Sequence, residues 1–393
     1  MTAPANGRLI VALMTAVSAG SPLTYALFMP ALIPAAAGMN VPVSTIQLTV
    51  ATYLVTLAVL QPVYGPVSDR LGRRGPLLFG LALFALGSLA VGLATSIPVM
   101  IAGRVLQAVG MCAGIVLPRA VVRDRFGPER SPSILSFMGS VTGIAPATGP
   151  VIGGLLVEYF DWRAGLFVLA AYGALMFVGT WTSVPESHVP SGGPRLSILA
   201  AYRHLLRMPL FMGLALGSGL FFGSFFAIVT EAPFVMTGLL GLSPSQFGLA
   251  FAAMPLTYIT TSFTVALLSR RVAPTRLIHI GGALGLFACA WVLWHALFST
   301  LSLPLFLSWL MLVAVANGFL FSMSIAVAVG VDPRMIGTAS GLLGTIHAAM
   351  SALGSVMAGV LHDGTVMATV WLIVLPMPLA PLLSWWATRP RPT

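Results

Sequence analysis

The sequence predicts an all-α integral membrane protein with twelve transmembrane helices. Of its 393 residues, 58% are hydrophobic and only 7% are charged, and the mean hydropathy is +0.99. A water-soluble domain carries about 25% charged residues, so a chain this apolar lacks the polar surface that solubility requires. Its apolar runs match the ~20 residues with which a helix crosses a bilayer, rather than the alternating ~10-residue segments of barrel strands.

Twelve apolar runs follow one another with short polar connections. We place them at about 9–36, 44–64, 76–96, 98–119, 131–156, 164–184, 209–236, 244–268, 276–298, 302–328, 336–360 and 366–387. The longest polar gap extends from Pro185 to Met208 and separates six runs from six. We therefore expect an N-terminal six-helix bundle at 1–187, a central cytoplasmic linker at 188–208 and a C-terminal six-helix bundle at 209–393.

The arginines indicate which side of the membrane holds the termini. With twelve spans, the connections on one side contain only Arg163. The connections and termini on the other side contain Arg8, Arg70, Arg73, Arg74, Arg123, Arg125, Arg130, Arg195, Arg203, Arg207, Arg270, Arg271, Arg276, Arg334, Arg389 and Arg391. Short cytoplasmic loops are enriched in Arg, so both termini are predicted to be cytoplasmic.

A polar stretch between the second and third runs carries the first recognisable motif. It resembles the loop signature of the major facilitator superfamily, G-x-x-x-D-R-x-G-R-R, at Gly65, Asp69, Arg70, Gly72, Arg73 and Arg74. We expect a tight turn here, because glycine permits backbone conformations that other residues avoid. The resemblance implies a conformational latch, in which Asp69 binds a helix end or a basic group in one state and releases it in another. The alternative is a simple positive-inside anchor.

The fourth run contains an arginine about six residues inside the predicted span. Arg104, Gln107 and Gly110 match the R-x-x-Q-x-x-G pattern of the same superfamily. A cation at this depth costs ~2.5–3.5 kcal/mol on insertion scales, so we expect Arg104 to face a cavity or a polar partner. The resemblance implies a role in proton coupling or in cavity electrostatics. A side chain that snorkels to the nearer surface is the alternative.

The fifth run is rich in small residues at a spacing of four. The residues concerned are Gly139, Gly143, Gly149, Pro150, Gly153 and Gly154. Small residues on one stripe let another helix approach closely, and Pro150 removes a backbone hydrogen bond. The segment resembles the antiporter signature G-x-x-x-G-P-x-x-G-G, with Ala145 in the first glycine's place. That resemblance implies export in exchange for protons, whereas ordinary helix packing is the alternative.

Further fragments resemble the Bcr/CflA drug:proton antiporters over most of the chain. They begin at Gln61, Pro118, Asp161, Pro185 and Gly337, with the sequences QPVYGP, PRAVVRD, DWR, PE and GTAS. The resemblance implies two related six-helix halves, a lipophilic substrate, protons as the coupling ion, a bacterial inner-membrane location and a monomer. One departure matters: this branch usually has an acidic residue in the first span, where this chain has Ala26.

With that acid missing, the proton-coupling candidates are the titratable groups within other runs. They are Glu231, His347 and, by resemblance, Arg104. Ionisable residues within a membrane span are costly and usually functional, and His titrates near neutral pH. Alternatively, Glu231 is a solvated carboxylate at a cavity mouth and His347 a neutral, hydrogen-bonded residue.

The substrate pocket is sketched from runs that line the cavity in the family. Its candidates are Tyr25, Phe28, Tyr53, Phe222, Phe226, Met254, Tyr258, Asn317 and Phe321. Aromatic and Met side chains suit an adaptable apolar site, although packing or lipid contact is open for each. A rival interpretation keeps the fold but exports or imports one defined metabolite, with or without proton coupling. No catalytic, nucleotide-binding or metal-binding motif occurs, so no enzyme activity, cofactor, metal or nucleic-acid partner is predicted.

Overall fold

The computed structural model describes residues 7–187, 198–332 and 335–389. Of these described residues, 87% are helical and none lies in a strand. The N-terminal helices are α1 (Gly7–Phe28), α2 (Leu32–Met39), α3 (Val43–Leu71), α4 (Arg74–Gly92), α5 (Ile97–Thr142), α6 (Ala145–Tyr159) and α7 (Ala164–Ser183). The remainder are α8 (Ile198–Leu206), α9 (Pro209–Pro233), α10 (Pro244–Leu268), α11 (Pro274–Phe298), α12 (Leu303–Val329), α13 (Ile336–Leu361), α14 (Val366–Val374) and α15 (Leu379–Thr388).

Twelve of the described segments are long and apolar enough to cross a membrane, which confirms the predicted number of spans. Several spans combine two helical pieces. A 3₁₀ turn at Met29–Ala31 joins α1 to α2, and a π-helical turn at Phe234–Leu239 extends α9. Large apolar side chains such as Leu249 and Phe263 of α10 and Trp294 of α11 are exposed, as expected of surfaces that contact lipid.

The α5 helix joins the predicted fourth and fifth spans. Its helical geometry is interrupted at Gly127, whose φ of 70° and ψ of 175° lie outside the helical region. Only glycine adopts such a backbone conformation without strain, so Gly127 marks the boundary between the two spans. The spans on either side are Ile97–Gly127 and Glu129–Tyr159.

By its internal contacts, the chain divides into two compact units. The first contains residues 1–192 and 242–252, and the second contains residues 193–241 and 253–393. In the first unit, Glu158 near the end of α6 accepts hydrogen bonds from the Ser245 backbone amide and the Ser243 hydroxyl, each at 3.1 Å. The predicted domain limits stay a prediction. Of the predicted linker, residues 188–197 lie outside the described residues, and the remainder contains α8.

Glycines bring helices into close contact within each unit. A Cβ added to Gly110 of α5 would collide with the backbone of Gly80 and Phe84 in α4. In the second unit, a Cβ added to Gly354 of α13 would collide with the backbone of Gly223 in α9. Because lipid tails are as apolar as Leu side chains, helices in a membrane associate through such close packing and through interhelical hydrogen bonds.

Candidate functional site

The motif between the second and third spans forms a compact ionic cluster in the first unit. Arg73 lies 2.6 Å from Asp69 and 3.0 Å from Asp124, and it also donates to the Ser68 hydroxyl at 2.6 Å. Arg73 is only 8% exposed, so its guanidinium depends on these partners for compensation. The cluster therefore ties the end of α3 to the part of α5 that carries Asp124.

Glu186 caps the start of α4 from a distant position in the chain. Its carboxylate accepts hydrogen bonds from the backbone amides of Arg73 at 2.8 Å and Arg74 at 3.0 Å. The first amides of a helix lack intrahelical partners, and the helix dipole favours a negative charge there. The Arg74 side chain then donates to the carbonyls of Val184 and Trp181, which fixes the chain just before Glu186.

The turn of this motif is shorter than expected. Gly65 lies inside α3, which continues to Leu71, so the predicted end of the second span at about residue 64 is wrong and the tight turn expected in this stretch comes only after Leu71. Gly72 is the turn glycine: its φ is +84°, and a Cβ there would lie 2.5 Å from a Glu186 carboxylate oxygen. Arg70 is exposed. Asp124 and Glu186 were not predicted as partners of this motif, although both stand in fragments that resemble the Bcr/CflA branch.

Arg104 is buried among uncharged groups. It is 2% exposed, its Nη1 donates to Gln107 at 2.9 Å, and its guanidinium carbon lies 3.9 Å from the centre of the Phe28 ring. Gln107 in turn donates to Ser88 at 2.8 Å. The guanidinium therefore does not snorkel to a surface. Its Nε and Nη2 have no hydrogen-bond partner among the described residues, so Gln107 and the Phe28 ring compensate this buried cation only in part.

The small residues of the antiporter-like segment serve different purposes. Gly149 and Gly153 pack against α1, where a Cβ on either would collide with Ala26 or with the Leu27 carbonyl. Gly154 packs equally closely against the Pro244 carbonyl at the start of α10, within the first unit. Pro150 is buried inside α6.

The expected close approach at Gly139 and Gly143 is wrong. A Cβ on Gly139 would meet nothing within 4 Å, and one on Gly143 would meet only its own helix. These two residues lie on α5 and its C-terminal end, whereas the packing glycines lie on the separate helix α6. The break between the helices removes the continuous stripe that the four-residue spacing suggested.

The first-unit pocket candidates occupy different environments. The Phe28 ring makes the cation–π contact with the Arg104 guanidinium that is described above. Tyr53 is 1% exposed, and its hydroxyl lies 3.4 Å from that of Ser21 on α1. Tyr25 is half-buried on α1. Ala26, at the position of the missing acid, is 1% exposed and packs closely against Gly149 of α6.

In the second unit, three pocket candidates form one aromatic cluster with His347. Phe222 stacks on Phe321 with ring centres 4.6 Å apart and meets Phe226 edge-on at 5.0 Å. His347 lies 4.8 Å from the Phe321 ring, and its Nε2 is 2.9 Å from the Ser218 hydroxyl. His347 is 7% exposed. The cluster therefore combines a large aromatic surface with one hydrogen-bonding, titratable ring.

The other second-unit candidates do not join this cluster through the ring contacts described. Met254 is fully buried, and Tyr258 is half-buried on the same helix, α10. Asn317 of α12 is 2% exposed, and its side-chain oxygen has no partner among the described residues. Their assignment to the substrate pocket stays a prediction.

Glu231 is fully buried and paired with a histidine that the sequence analysis missed. Its carboxylate oxygens lie 3.1 and 3.3 Å from Nδ1 of His362, and the edge of the His362 ring meets Phe234 at a centre distance of 4.3 Å. The alternative of a solvated carboxylate at a cavity mouth does not fit a side chain with 0% exposure. His362 directly follows α13, and 131 residues separate it from Glu231, so no local spacing indicated the pair.

The surroundings favour a charged His362. The hydrogen bond to Glu231 raises the pKa of His362 above its ordinary value, partial burial opposes the shift, and the Glu231 and Asp363 charges reinforce it. Hydrogen bonds from Thr365 lower the pKa of the exposed Asp363 carboxyl. No group of His, Cys, Asp and Glu residues suited to a metal ion occurs in the part of the chain that the structure describes.

Comparison with known proteins places these features in a family. The model of the Major Facilitator Superfamily matches residues 14–355. An uncharacterised MFS-type transporter, YdgK of Bacillus subtilis, is 30% identical over 86% of this chain and 85% of its own length. A bicyclomycin resistance protein homolog of Haemophilus influenzae is 28% identical over 87% of each chain. A chloramphenicol resistance protein of Pseudomonas aeruginosa is 37% identical over 56% of this chain and 52% of its own.

Solved structures agree on the fold. A bacterial homolog of the human lysosomal transporter Spinster superposes with a TM-score of 0.76 at 16% identity, covering 98% of this chain and 96% of its own. A D-xylose-proton symporter gives a TM-score of 0.72 at 16% identity and covers 96% of each chain. The chain is therefore a multi-pass membrane transporter that belongs to the major facilitator superfamily.

Proposed function

We propose that this protein exports lipophilic small molecules across the bacterial inner membrane in exchange for protons, by alternating access. The family assignment makes it a transporter, and relatives named for bicyclomycin, chloramphenicol and multidrug resistance support lipophilic drugs as the substrate class. The aromatic cluster of Phe222, Phe226, Phe321 and His347 supplies a surface suited to flat apolar molecules.

The observation that carries proton coupling is the buried pair of Glu231 and His362. Glu231 is the only acidic side chain that is fully buried among the described residues. An intramembrane carboxylate with a histidine partner can hold a proton on either group, and its net charge then depends on whether that proton is present. We assign proton carriage to this pair, with His347 and Arg104 as further candidates to be tested beside it.

The ionic cluster around Arg73 serves as the conformational latch in this proposal. Asp69, Asp124 and Glu186 hold Arg73 and the start of α4 together within the first unit. The excess of arginines in these connections supports a cytoplasmic position for the cluster and for both termini. The protein is proposed to act as a monomer without a cofactor.

Transport by purified protein tests this function directly. The protein is reconstituted into liposomes, a pH gradient is imposed, and uptake of radiolabelled chloramphenicol is compared with that of a polar sugar of similar mass. Gradient-dependent uptake of chloramphenicol alone supports the proposal. Uptake of neither compound, repeated with a panel of lipophilic antimicrobials, counts against drug export.

A second candidate function is supported by Arg104. Its buried guanidinium lacks an acidic partner, and Ala26 stands where the related branch has an acid, so this part of the first unit favours an anionic group. A carrier for one defined anionic metabolite would use that charge. Competition for transport by small carboxylates, lost in Arg104→Gln, would favour this candidate over drug export.

A further inference from the structure

The two members of the buried pair differ in their access to water. The Glu231 side chain has no exposed surface, whereas 10% of the His362 side chain is exposed. His362 follows Leu361, the last residue of α13, and therefore lies just beyond a membrane span. The histidine is thus the member of the pair that water beside the membrane can reach.

The two nitrogens of the His362 ring have different surroundings. Nδ1 lies 3.1 and 3.3 Å from the two carboxylate oxygens of Glu231. An ionised carboxylate can only accept, so Nδ1 carries the hydrogen of this contact. Nε2 has no hydrogen-bond partner among the described residues and is not one of their buried unpaired atoms, which leaves it accessible to water. One ring therefore connects a buried acceptor with an atom at which a proton can arrive.

The packing around the pair holds donor and acceptor in place. The rings of His362 and Phe234 meet edge-on at 86°, with their centres 4.3 Å apart. The hydroxyls of Thr230, which precedes Glu231, and Ser355 of α13 lie 3.0 Å apart and join the two helices beside the pair. A donor and an acceptor held at hydrogen-bond distance can exchange a proton without first being brought together.

The charges around His362 favour uptake of a proton by its ring. Asp363 is exposed, and its carboxylate accepts hydrogen bonds from the Thr365 amide at 2.8 Å and the Thr365 hydroxyl at 2.7 Å, which lower its pKa. The hydrogen bond to Glu231 raises the pKa of His362, partial burial opposes this, and the charges of Glu231 and Asp363 add to it. The ring can therefore hold a proton well above the ordinary glutamate pKa of about 4.3.

Other ionisable side chains lie far from the pair in the described part of the second unit. Helices α12, α14 and α15 and the π-helical turn contain none, and α9 contains only Glu231. His347 of α13 lies about four helical turns before His362 and contacts Ser218. Arg203 of α8 lies near the starts of α9 and α13, whereas the pair lies at their ends.

We propose that His362 relays protons between water and Glu231. A proton from water bonds to Nε2 and makes the ring a cation. The hydrogen on Nδ1 then passes to a Glu231 carboxylate oxygen, which leaves a neutral ring and a neutral carboxylic acid. One proton has moved, and the ring returns to its first tautomer by exchange with water. The same steps in reverse release the proton.

This inference rests on the assignment of proton carriage to the pair, and it adds the route and the order in which the two groups act. With cytoplasmic termini, as proposed above, the loop between α13 and α14 lies on the outer side of the membrane. An exporter that exchanges drugs for protons takes up its protons on that side. The competing interpretation is a purely structural contact between Glu231 and His362.

The test follows protonation of Glu231 without any drug. Protein in lipid nanodiscs is mixed rapidly from about pH 8 to about pH 4, below the ordinary glutamate pKa. Time-resolved infrared spectroscopy records the carboxylic-acid C=O band that Glu231→Gln lacks. His362→Gln can still donate a hydrogen bond but cannot carry a proton, so it should slow this band about a hundredfold. A wild-type rate in His362→Gln, or no such band in wild type, would overturn the proposal.

Rescue by free imidazole separates a relay from a structural contact. His362→Ala should also be slow, and imidazole should restore most of its rate by carrying protons from the vacated position. Imidazole should not accelerate His362→Gln, whose side chain fills that position. His295→Ala, which removes a histidine near the end of α11, is the matched control and should keep the wild-type rate.

A folded His362→Ala protein that stays slow with imidazole would assign His362 a structural role and contradict the relay. If His362→Ala does not fold, the comparison of His362→Gln with wild type still decides. Slow protonation in His362→Gln without drug transport in wild type would retain the relay and remove the proposed export. Drug-evoked proton flux in wild type with unchanged protonation in His362→Gln would do the opposite.

Discussion

The carboxylate of Glu231 lies 3.1 Å from Nδ1 of His362, and this contact joins the end of α9 to the residue that follows α13. The two helices also touch through the hydroxyls of Thr230 and Ser355, 3.0 Å apart. The pair therefore occupies the end of a closely packed helix interface. A change of protonation there alters the charge at that interface, which is what a coupled transporter requires.

The pair should make stability depend on pH in a defined direction. Glu231 raises the pKa of His362. The stabilisation of the folded protein by this pair is therefore complete below the ordinary histidine pKa of about 6.5, and it is lost as the pH rises through the raised pKa. The unfolding temperature of wild type should therefore exceed that of His362→Gln most at about pH 5.5, and the difference should shrink toward pH 9. This difference in unfolding temperature is measured by light scattering during thermal melts of the two proteins in detergent.

A double-mutant cycle provides the control for that experiment. In a Glu231→Gln background, His362→Gln should no longer cost most at low pH, because the hydrogen-bonded charge is gone while partial burial, which lowers the pKa of His362, remains. A stabilisation by His362 that is still greatest at low pH in this background would assign the effect to a partner other than Glu231.

Replacement of Ser218 should affect substrate affinity more than proton movement. Ser218→Ala removes the hydroxyl 2.9 Å from Nε2 of His347 and frees the ring that packs on Phe321. Loss of one such hydrogen bond costs about 0.5–1.5 kcal/mol, so we expect KM for a lipophilic substrate to rise a few-fold to tenfold. Initial-rate transport assays measure this. A loss of proton coupling at unchanged KM would place His347 in the proton pathway instead.

Glu186 should stabilise the first unit as a helix cap. Glu186→Gln keeps the shape but removes the negative charge at the start of α4, with an expected loss of about 0.5–2 kcal/mol of stability, the range measured for other helix caps. Glu129→Gln, at an exposed carboxylate, is the matched control and should change stability little. Equal effects of the two variants would show that the contacts of Glu186 contribute nothing specific.

The two classes of glycine in the antiporter-like segment should respond differently to the same change. Gly149→Ala places a methyl group against Ala26 and should lower the unfolding temperature and the yield of folded protein. Gly139→Ala enters open space within a helix and should stabilise by up to about 1 kcal/mol. Thermal melts measure the unfolding temperatures of the two variants and of wild type. A similar drop in unfolding temperature for both variants would contradict the packing described.

The sequence was sufficient for features that local composition determines. Twelve spans follow from apolar runs. Arg104 was expected to face a cavity or a polar partner because it lies well inside such a run, and its Nη1 donates to Gln107.

A tight turn was expected from the glycines of the motif, and it lies at Gly72. Helix α3 continues through Pro62, Gly65 and Pro66, because neighbouring groups in a transmembrane bundle can satisfy the backbone that such residues leave unpaired.

Contacts between distant residues could not be predicted in this way. His362 lies just beyond α13, and it can be recognised as the partner of Glu231 only in the folded structure, where packing brings the two side chains together. Asp124 and Glu186 were visible as acids in short motifs, but their common partner, Arg73, lies 51 and 113 residues away. The regular spacing of Gly139 and Gly143 was misleading because the helix ends before Ala145, which the spacing does not reveal.

Proton movement evoked by substrate tests the central claim most directly. Wild type, Glu231→Gln, His347→Gln and the control Glu129→Gln are reconstituted into liposomes that contain a pH-sensitive dye, and lipophilic antimicrobials are added under an imposed gradient. We predict drug-evoked proton flux in wild type and Glu129→Gln, and none in Glu231→Gln. Drug transport without proton flux in wild type, or unchanged flux in Glu231→Gln, would contradict proton antiport through the pair of Glu231 and His362.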